Sequence, residues 1–232
     1  MCTKTTVSYL LPTARDWNEY GSRVVTTLAS FIPSHHEIVV YCENDPNDSR
    51  VRWVREPAAG LGCVMAFNML FAHAKGDVIA TLCDDVFVGE SIVAATESLL
   101  RDRYTLLGLN PGYCTHSCLP LPIVDWCAMH RELIQSALGG VIFNPAFRHH
   151  YCDHWLTYYA HSLDIPMKRW PTNAVHANFC QITTHDCYDK AVYYKLLEEI
   201  QTRPIRYDRN PWRQLTTAQL RDAADQPLLA PA

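Results

Sequence analysis

Two carboxylates, Asp84 and Asp85, stand side by side where a short apolar run, Val78 to Leu82, comes to an end. Adjacent acids repel each other, and at neutral pH they are most stable beside a cation. Hard divalent ions such as Mg2+ or Mn2+ take carboxylate and phosphate oxygens together. The run before the pair is short, apolar and rich in β-formers, so it reads as a buried strand. In an open α/β sheet the ligand crevice lies outside the carboxyl ends of the strands, which is where such a pair would sit. The plain alternative is an acidic strand-to-loop turn that caps the helix after it. The pair alone leaves both readings open.

Few other residues in the chain form a recognisable chemical set. Cys114-Thr-His116-Ser-Cys118, with Cys127 beyond, could assemble into a zinc site, but the spacing matches no standard zinc motif. The ten cysteines show no CxxC pair. Met1 to Thr6 is polar and the apolar run after it stops at Pro12, so no signal peptide and no membrane-spanning stretch is expected. Reduced thiols and a cytoplasmic location follow as expectations. The net charge of −4 and the lack of a long basic run argue against a protein whose main task is gripping nucleic acid. With 232 residues, 48% of them hydrophobic, one domain, or one domain plus an appendage, with a substantial core is expected.

The elements that would position the two aspartates follow from periodicity. Val7 to Leu11 is a strand stopped by Pro12, and a helix is expected from about Trp17 to Phe31, ended by Pro33. Glu37 to Tyr41 and Val51 to Val54 read as strands, the first running into a polar turn from Cys42 to Asp48. After the flexible stretch Pro57 to Gly62, Val64, Phe67, Phe71 and Ala74 form the apolar stripe of a helix ended by Gly76-Asp77. The strand leading to Asp84 and Asp85 comes next, then a helix over about Glu90 to Arg101. The second half is less regular. Strands are expected at Thr105 to Leu109, Ile123 to Met129 and Ile165 to Trp170, with helices at Arg131 to Leu138, Asp153 to Ser162 and Lys190 to Thr202. Gly139-Gly140 breaks the first of these helices, and Asp222 to Ala232 is a frayed Pro/Ala-rich tail. Alternating strands and helices argue for a mostly parallel central sheet with helices on both faces, a three-layer Rossmann-like α/β sandwich. The first half, residues 1–103, is close to a nucleotide-binding half of a doubly wound fold, and residues 104–221 are expected to complete the same domain. No Gly-x-Gly-x-x-Gly follows the first strand and no Gly-Lys-Ser/Thr loop is present, so neither a dinucleotide cofactor nor a P-loop is supported.

Several segments, taken in order, resemble one family. Pro12-Thr13-Ala14-Arg15 after the first strand, Glu37 to Asn44, Gly62-x3-Ala66-x-Asn68, Ala74-Lys-Gly76-Asp77 followed by Asp84-Asp85, Gly139-Gly140 to Phe143, Tyr151-Cys-Asp153-His-Trp-Leu156 and Val175-His176 together resemble the nucleotide-sugar-dependent glycosyltransferases of the GT-A type, in their large inverting family (family 2-like). The resemblance covers about residues 5 to 180. Two positions depart from the pattern: the family's Asp-x-Asp is Cys83-Asp84-Asp85, and Cys152 stands where an acid is common before Asp153.

The resemblance implies transfer of a sugar, with inversion, from a UDP- or dTDP-sugar to a hydroxyl acceptor, helped by Mn2+ or Mg2+. It implies Asp85 and His176 as metal ligands, with His185 as the competitor for the histidine, and Asp84 in support of the metal or the ribose. Pro12, Thr13, Arg15 and Glu43 fall on nucleoside-holding positions, and Gly62 and Asn68 are donor-site positions with them. Asp153 is the general base that takes the acceptor's proton, although an N-cap role would explain its place as well. His149, His150 and His154 would line an acceptor groove or form a polar rim. Trp126, Trp155, Tyr158 and Tyr159 would stack on a sugar or base, or belong to the core. The acceptor is a glycan, a small molecule or, less favoured by the charge, a modified nucleic acid. Two alternatives stand beside this reading. One is a nucleotidyltransferase, disfavoured by the glycine-free first turn. The other is a non-catalytic nucleotide-sugar- or glycan-binding module on a degenerate transferase fold.

Overall fold

β1 (Val7–Pro12), β2 (Glu37–Cys42), β3 (Arg52–Arg55) and β4 (Val78–Thr81) are short, β-rich runs that pair in parallel, β3 with β2, β2 with β1 and β1 with β4. The computed structural model describes residues 6–55, 62–109, 124, 126–169, 175–176 and 189–196, with the backbone alone for Phe87, Arg169, Val175 and His176. β6 (Leu106–Gly108) and β8 (Met167–Arg169) also pair in parallel. β7 (Cys127–His130) joins the two groups and runs antiparallel to both β4 and β6. The result is a seven-stranded sheet in the order β3-β2-β1-β4-β7-β6-β8. β5 (Val86–Phe87) and β9 (Val175–His176) form a separate antiparallel pair.

Successive side chains of a strand face opposite sides of a sheet, and both sides are buried here. Along β1, Leu10 packs on one side while Val7, Tyr9 and Leu11 pack on the other. The Leu10 side is covered by α2 (Gly62–His73), α4 (Arg131–Ser136) and α5 (Cys152–Ser162) through Phe67, Leu70, Ile134, Trp155 and Leu156. The Tyr9 side is covered by α1 (Ser22–Ala29) and α3 (Ser91–Ser98) through Val24, Leu28, Ile92 and Ala95. A strand buried on both faces has no polar alternation, which is why β1 and β4 read as continuous apolar runs. Each fully buried Leu or Ile contributes roughly 1.5–3 kcal/mol over its exposed state.

The expected three-layer α/β architecture is the observed one, with local differences. The helix expected over Trp17 to Phe31 is two pieces: a π-helical turn, Trp17–Gly21, and then α1. Asp16 Oδ1 accepts the Glu19 N–H at 3.0 Å and starts the turn. A Cβ on Gly21 would meet the Trp17 ring at 2.6 Å, so only glycine lets that ring lie back over the turn. The strand expected from Ile123 starts at Cys127 among the described residues, and its reversed direction was not legible in its apolar pattern. Residues 189–196 are helical, beginning one residue before the helix expected from Lys190. The loops at residues 57–61 and 110–122, the cysteines and histidine at positions 114–118, His185 and the tail 222–232 lie outside the described residues. No helix of the described residues is long and apolar enough to cross a membrane.

Candidate active site

The parallel register sets Pro12 opposite Tyr41 and Leu10 opposite Thr81, so β1, β2 and β4 end together. One further bond, from the Leu82 N–H to the Leu10 carbonyl at 2.9 Å, carries the ladder past the end of β4. Residues 13, 15, 43 and 83–85 therefore leave the sheet at one edge. The Thr13 N–H donates to the Tyr41 carbonyl at 2.8 Å, which fixes the turn after Pro12. The Thr13 hydroxyl then donates to Asp84 Oδ2 at 2.5 Å. Arg15 Nη2 lies 2.7 Å from Asp84 Oδ1 and 2.7 Å from Asp85 Oδ2. The guanidinium also lies over the Tyr20 ring, with Cζ 4.7 Å from the ring centroid. Asp84 and Asp85 are 6% and 8% exposed.

Burial pushes the Asp84 carboxyl above its ordinary value; the Thr13 hydroxyl and Arg15 oppose the push, and the charge of Asp85 adds to it. Two nearly buried carboxylates thus meet on one guanidinium nitrogen. Hard oxygens from two adjacent acids fit a divalent ion, and the position between them is held by the Arg15 nitrogen. β9 lies antiparallel to β5 with His176 in register with Val86, one residue beyond Asp85. The backbone thereby brings position 176 next to the acidic pair. Glu43 follows β2 directly and is exposed.

A second acidic centre stands at the start of α5. Asp153 lies in the first turn, where the helix dipole favours a carboxylate. Its Oδ1 is 2.9 Å from His154 Nδ1, and its side chain is 23% exposed. The residue before the helix, Tyr151, takes a left-handed conformation at φ 61°. The loop leading to it is tied down by Asp189, a residue the sequence reading did not single out. Asp189 is fully buried, and its carboxylate accepts the backbone N–H groups of Arg148, His149 and His150 at 2.9, 2.8 and 2.7 Å. The available signal was an acid immediately before the expected helix at Lys190.

Gly62 and Asn68 serve this same loop region. Gly62 has φ +77°, and a Cβ there would sit 2.4 Å from the Arg148 carbonyl oxygen. Asn68 is buried; it donates to the Phe143 carbonyl at 2.8 Å and accepts the Ile142 and Phe143 N–H groups at 2.9 and 3.1 Å. Both hold α2 against the chain that leads to Asp153. The Cys63 thiol, pushed up to about 12 mainly by burial, is raised further by the charges of Asp153, Asp189 and Asp84. Burial also keeps Cys83 and Cys152 protonated, so Cys83 brings a neutral thiol where the resemblance has a carboxylate. Cys127 is buried, its thiol pushed up to about 12 mainly by burial, with the Thr81 hydroxyl at 3.5 Å.

Of the aromatic candidates, Trp155 and Tyr159 are core residues stacked at 5.8 Å, and Trp126 packs against the other core. Tyr151 is stacked on Tyr193 at 5.4 Å and neighbours His154, so the rim near Asp153 is aromatic and imidazole-rich. One further cluster of metal-ligand types exists among the described residues: His35, His36 and Glu97, at the opposite end of the sheet. There the Val7 N–H donates to His36 Nδ1 at 3.3 Å, so the ring proton is on Nε2, which faces Glu97 at 3.2 Å. No ring lone pair of His36 is left for a metal.

No protein-family model and no curated protein sequence matches the chain. Solved structures do match its shape. TarS (residues 1–349) from S. aureus superposes over 95% of this chain and 69% of its own, with a TM-score of 0.57 and 11% identity. The complex of TarS with UDP-GlcNAc matches over 95% and 70%, with a TM-score of 0.54 and 12% identity. The mannosyltransferase PcManGT from Pyrobaculum calidifontis, in complex with GDP-Man and Mn2+, matches over 94% of this chain and 73% of its own, with a TM-score of 0.58 and 15% identity. The architecture is that of the GT-A glycosyltransferases. At this identity the match defines the fold, and chemistry has to be argued from the residues.

Proposed function

We propose that this chain is an inverting glycosyltransferase that moves a sugar from a nucleotide diphosphate sugar, UDP- or dTDP-linked, to a hydroxyl acceptor. The observation that carries the reading is the joined set Thr13, Arg15, Asp84 and Asp85 at the aligned ends of β1 and β4. Asp153, in the first turn of α5 with His154 Nδ1 at 2.9 Å, is the candidate base. The likeness to structures crystallised with UDP-GlcNAc and with GDP-Man supports a sugar-nucleotide ligand. Pro12, Thr13, Arg15 and Glu43 hold the nucleotide, with Asp84 toward the ribose or the metal. Gly62 and Asn68 act from behind, by fixing α2 and the loop before Asp153. Asp85 and His176 would hold a Mn2+ or Mg2+ ion. When bound, the ion supplies positive charge to the diphosphate as it leaves.

The acceptor oxygen attacks the anomeric carbon opposite the diphosphate. A new C–O bond forms as the bond to the diphosphate breaks, and the acceptor proton passes to the Asp153 carboxylate. His154 Nδ1 orients that carboxylate from 2.9 Å. Arg15 meets negative charge growing on the leaving group. The second reading, a binding module without turnover, draws on the neutral thiol of Cys83. Thermal melting with a panel of nucleotide sugars, with and without Mn2+, followed by measurement of nucleoside diphosphate release, separates the two. Stabilisation by one base class together with release supports the transferase. Stabilisation without release from any donor or acceptor supports the module, and no stabilisation by any nucleotide sugar overturns both.

A further inference from the structure

We propose that Arg15 is a built-in counter-cation of the acidic centre, which a divalent ion must displace from Asp84 and Asp85 in order to bind. A guanidinium meeting a single carboxylate normally uses two nitrogens in a fork. Here one nitrogen bridges two residues, at 2.7 Å from an oxygen of each, as a bound ion would. The two acids are nearly buried, with side chains 7% and 9% exposed, whereas the Arg15 side chain is 34% exposed and has solvent to move into. Two buried carboxylates without a cation would repel each other across a low-dielectric site. Arg15 removes that penalty and lets the acidic pair fold before any metal arrives.

Geometry then dictates the order of loading. The Arg15 nitrogen occupies the position between the two acids, 2.7 Å from an oxygen of each, so an ion arriving alone has to expel the guanidinium. A nucleoside diphosphate changes the balance, because its phosphates accept the displaced guanidinium as readily as carboxylates do. Metal and nucleotide therefore bind weakly apart and tightly together, and by linkage each raises the affinity for the other equally. The metal half of the proposal rests only on this acidic centre; the nucleotide half rests on the reading as a nucleotide-sugar enzyme.

The test is Mn2+ binding to the purified chain without nucleotide, followed by the paramagnetic signal of free Mn2+ and by the Mn2+-induced rise in melting temperature. Arg15→Gln is expected to bind Mn2+ about tenfold tighter than the wild type, with a larger rise in melting temperature, and Asp85→Asn to lose the binding. Equal or weaker binding by folded Arg15→Gln overturns the proposal, as does absence of binding in every variant. Should Arg15→Gln fail to fold, Arg15→Lys replaces it, because an ammonium is a single compact charge without the planar fork. An affinity above the wild type supports the proposal and an unchanged one overturns it. Repeating the titration with UDP should show the nucleotide tightening Mn2+ binding in the wild type and doing so less in Arg15→Gln; an equal gain in both overturns the ordered loading. A protein that shows the Mn2+ difference but transfers no sugar keeps the counter-cation and loses the transferase reading. Sugar transfer with unchanged Mn2+ affinity in Arg15→Gln has the reverse meaning.

Discussion

The two ends of the same parallel strands treat their acids in opposite ways. At the amino end, Glu37 at the start of β2 accepts the Ser8 hydroxyl at 2.5 Å and the Lys75 N–H at 2.6 Å, and pairs with Arg52 at 2.5 Å. Burial alone would push its carboxyl up, yet the Ser8, Lys75 and Arg52 contacts outweigh burial and hold it below its ordinary value. At the carboxyl end, burial prevails over Thr13 and Arg15, and Asp84 is pushed up. One acid is stabilised as an anion by its neighbours. The other is kept charged against its surroundings and is best relieved by something brought from outside. Groups that the fold already satisfies serve the fold, and groups that it leaves short of positive charge mark the place for a ligand.

The largest test of that contrast is Asp85→Asn. If the carboxyl end serves chemistry, sugar transfer falls by about 10^3-fold or more. Stability to urea should be unchanged or higher, because one of two repelling buried charges is gone. Steady-state rates and urea midpoints on the same preparation check both halves. Full activity would remove the functional meaning of this end.

Next in size is Asp189→Ala, which probes the scaffold behind the second acid. Three backbone N–H groups lose their acceptor, and buried unsatisfied donors cost about 1–3 kcal/mol each before relaxation. A loss of about 3–4 kcal/mol in urea unfolding is expected, as for breaking a buried charged pair. Activity should fall with it, since Tyr151 and Asp153 follow the loop directly. Asp189→Asn keeps one acceptor oxygen and should recover part of both losses.

Asp189 also shows where the sequence ceased to be legible. The ends of β1, β2 and β4, and the meeting of Thr13, Arg15, Asp84 and Asp85, could be expected because strand periodicity and parallel order bring those ends together. Partners that are backbone atoms leave no such trace. The N–H groups held by Asp189 are about 40 residues away in the chain, and any residue type could supply them. Asn68 and Gly62 have the same history: the residue types matched a donor site, while their contacts are the Phe143 backbone and the Arg148 carbonyl. Strand direction was hidden for a related reason. Cys127–His130 is a short buried run whichever way it goes, so its pattern carries no mark of the antiparallel pairing with β4. The π-helical turn at Trp17–Gly21 was hidden because the apolar stripe continues through it.

Glu37→Gln sharpens the comparison from the amino end. Arg52 loses its charged partner and an amide hydrogen-bond set replaces a stronger one, a loss of about 1–2 kcal/mol, with sugar transfer unchanged. The pH dependence carries a sign. A carboxyl with a lowered folded pKa contributes stability that is present above its ordinary value of 4.5 and is lost as pH falls through the folded value. The gap between wild type and Glu37→Gln should therefore close in acid. A gap that widened there would mean that the contacts favour the protonated acid, and the contrast with Asp84 would fail.

The smallest effect belongs to His36, also at the amino end. It is 8% exposed, accepts the Val7 N–H through Nδ1 and faces Glu97 through Nε2. Burial lowers its pKa and the neighbouring His35 adds to this, while Glu97 acts against both. Protonation puts a hydrogen on Nδ1 and removes the acceptor that starts β1. A histidine with a lowered folded pKa contributes stability that is complete above its ordinary value of 6.5 and declines as pH falls below it. Between about pH 7.5 and pH 5.5, the wild type should lose about 0.5–1 kcal/mol, the worth of one neutral hydrogen bond. In His36→Gln the amide oxygen has no proton to gain, so urea midpoints for that variant should hold steadier over the same range. Added Zn2+ should leave the wild-type midpoint unchanged, because neither ring nitrogen of His36 has a lone pair to give. A Zn2+-dependent rise abolished by His36→Gln would show that the amino end too was awaiting a cation, and the difference between the two ends would disappear.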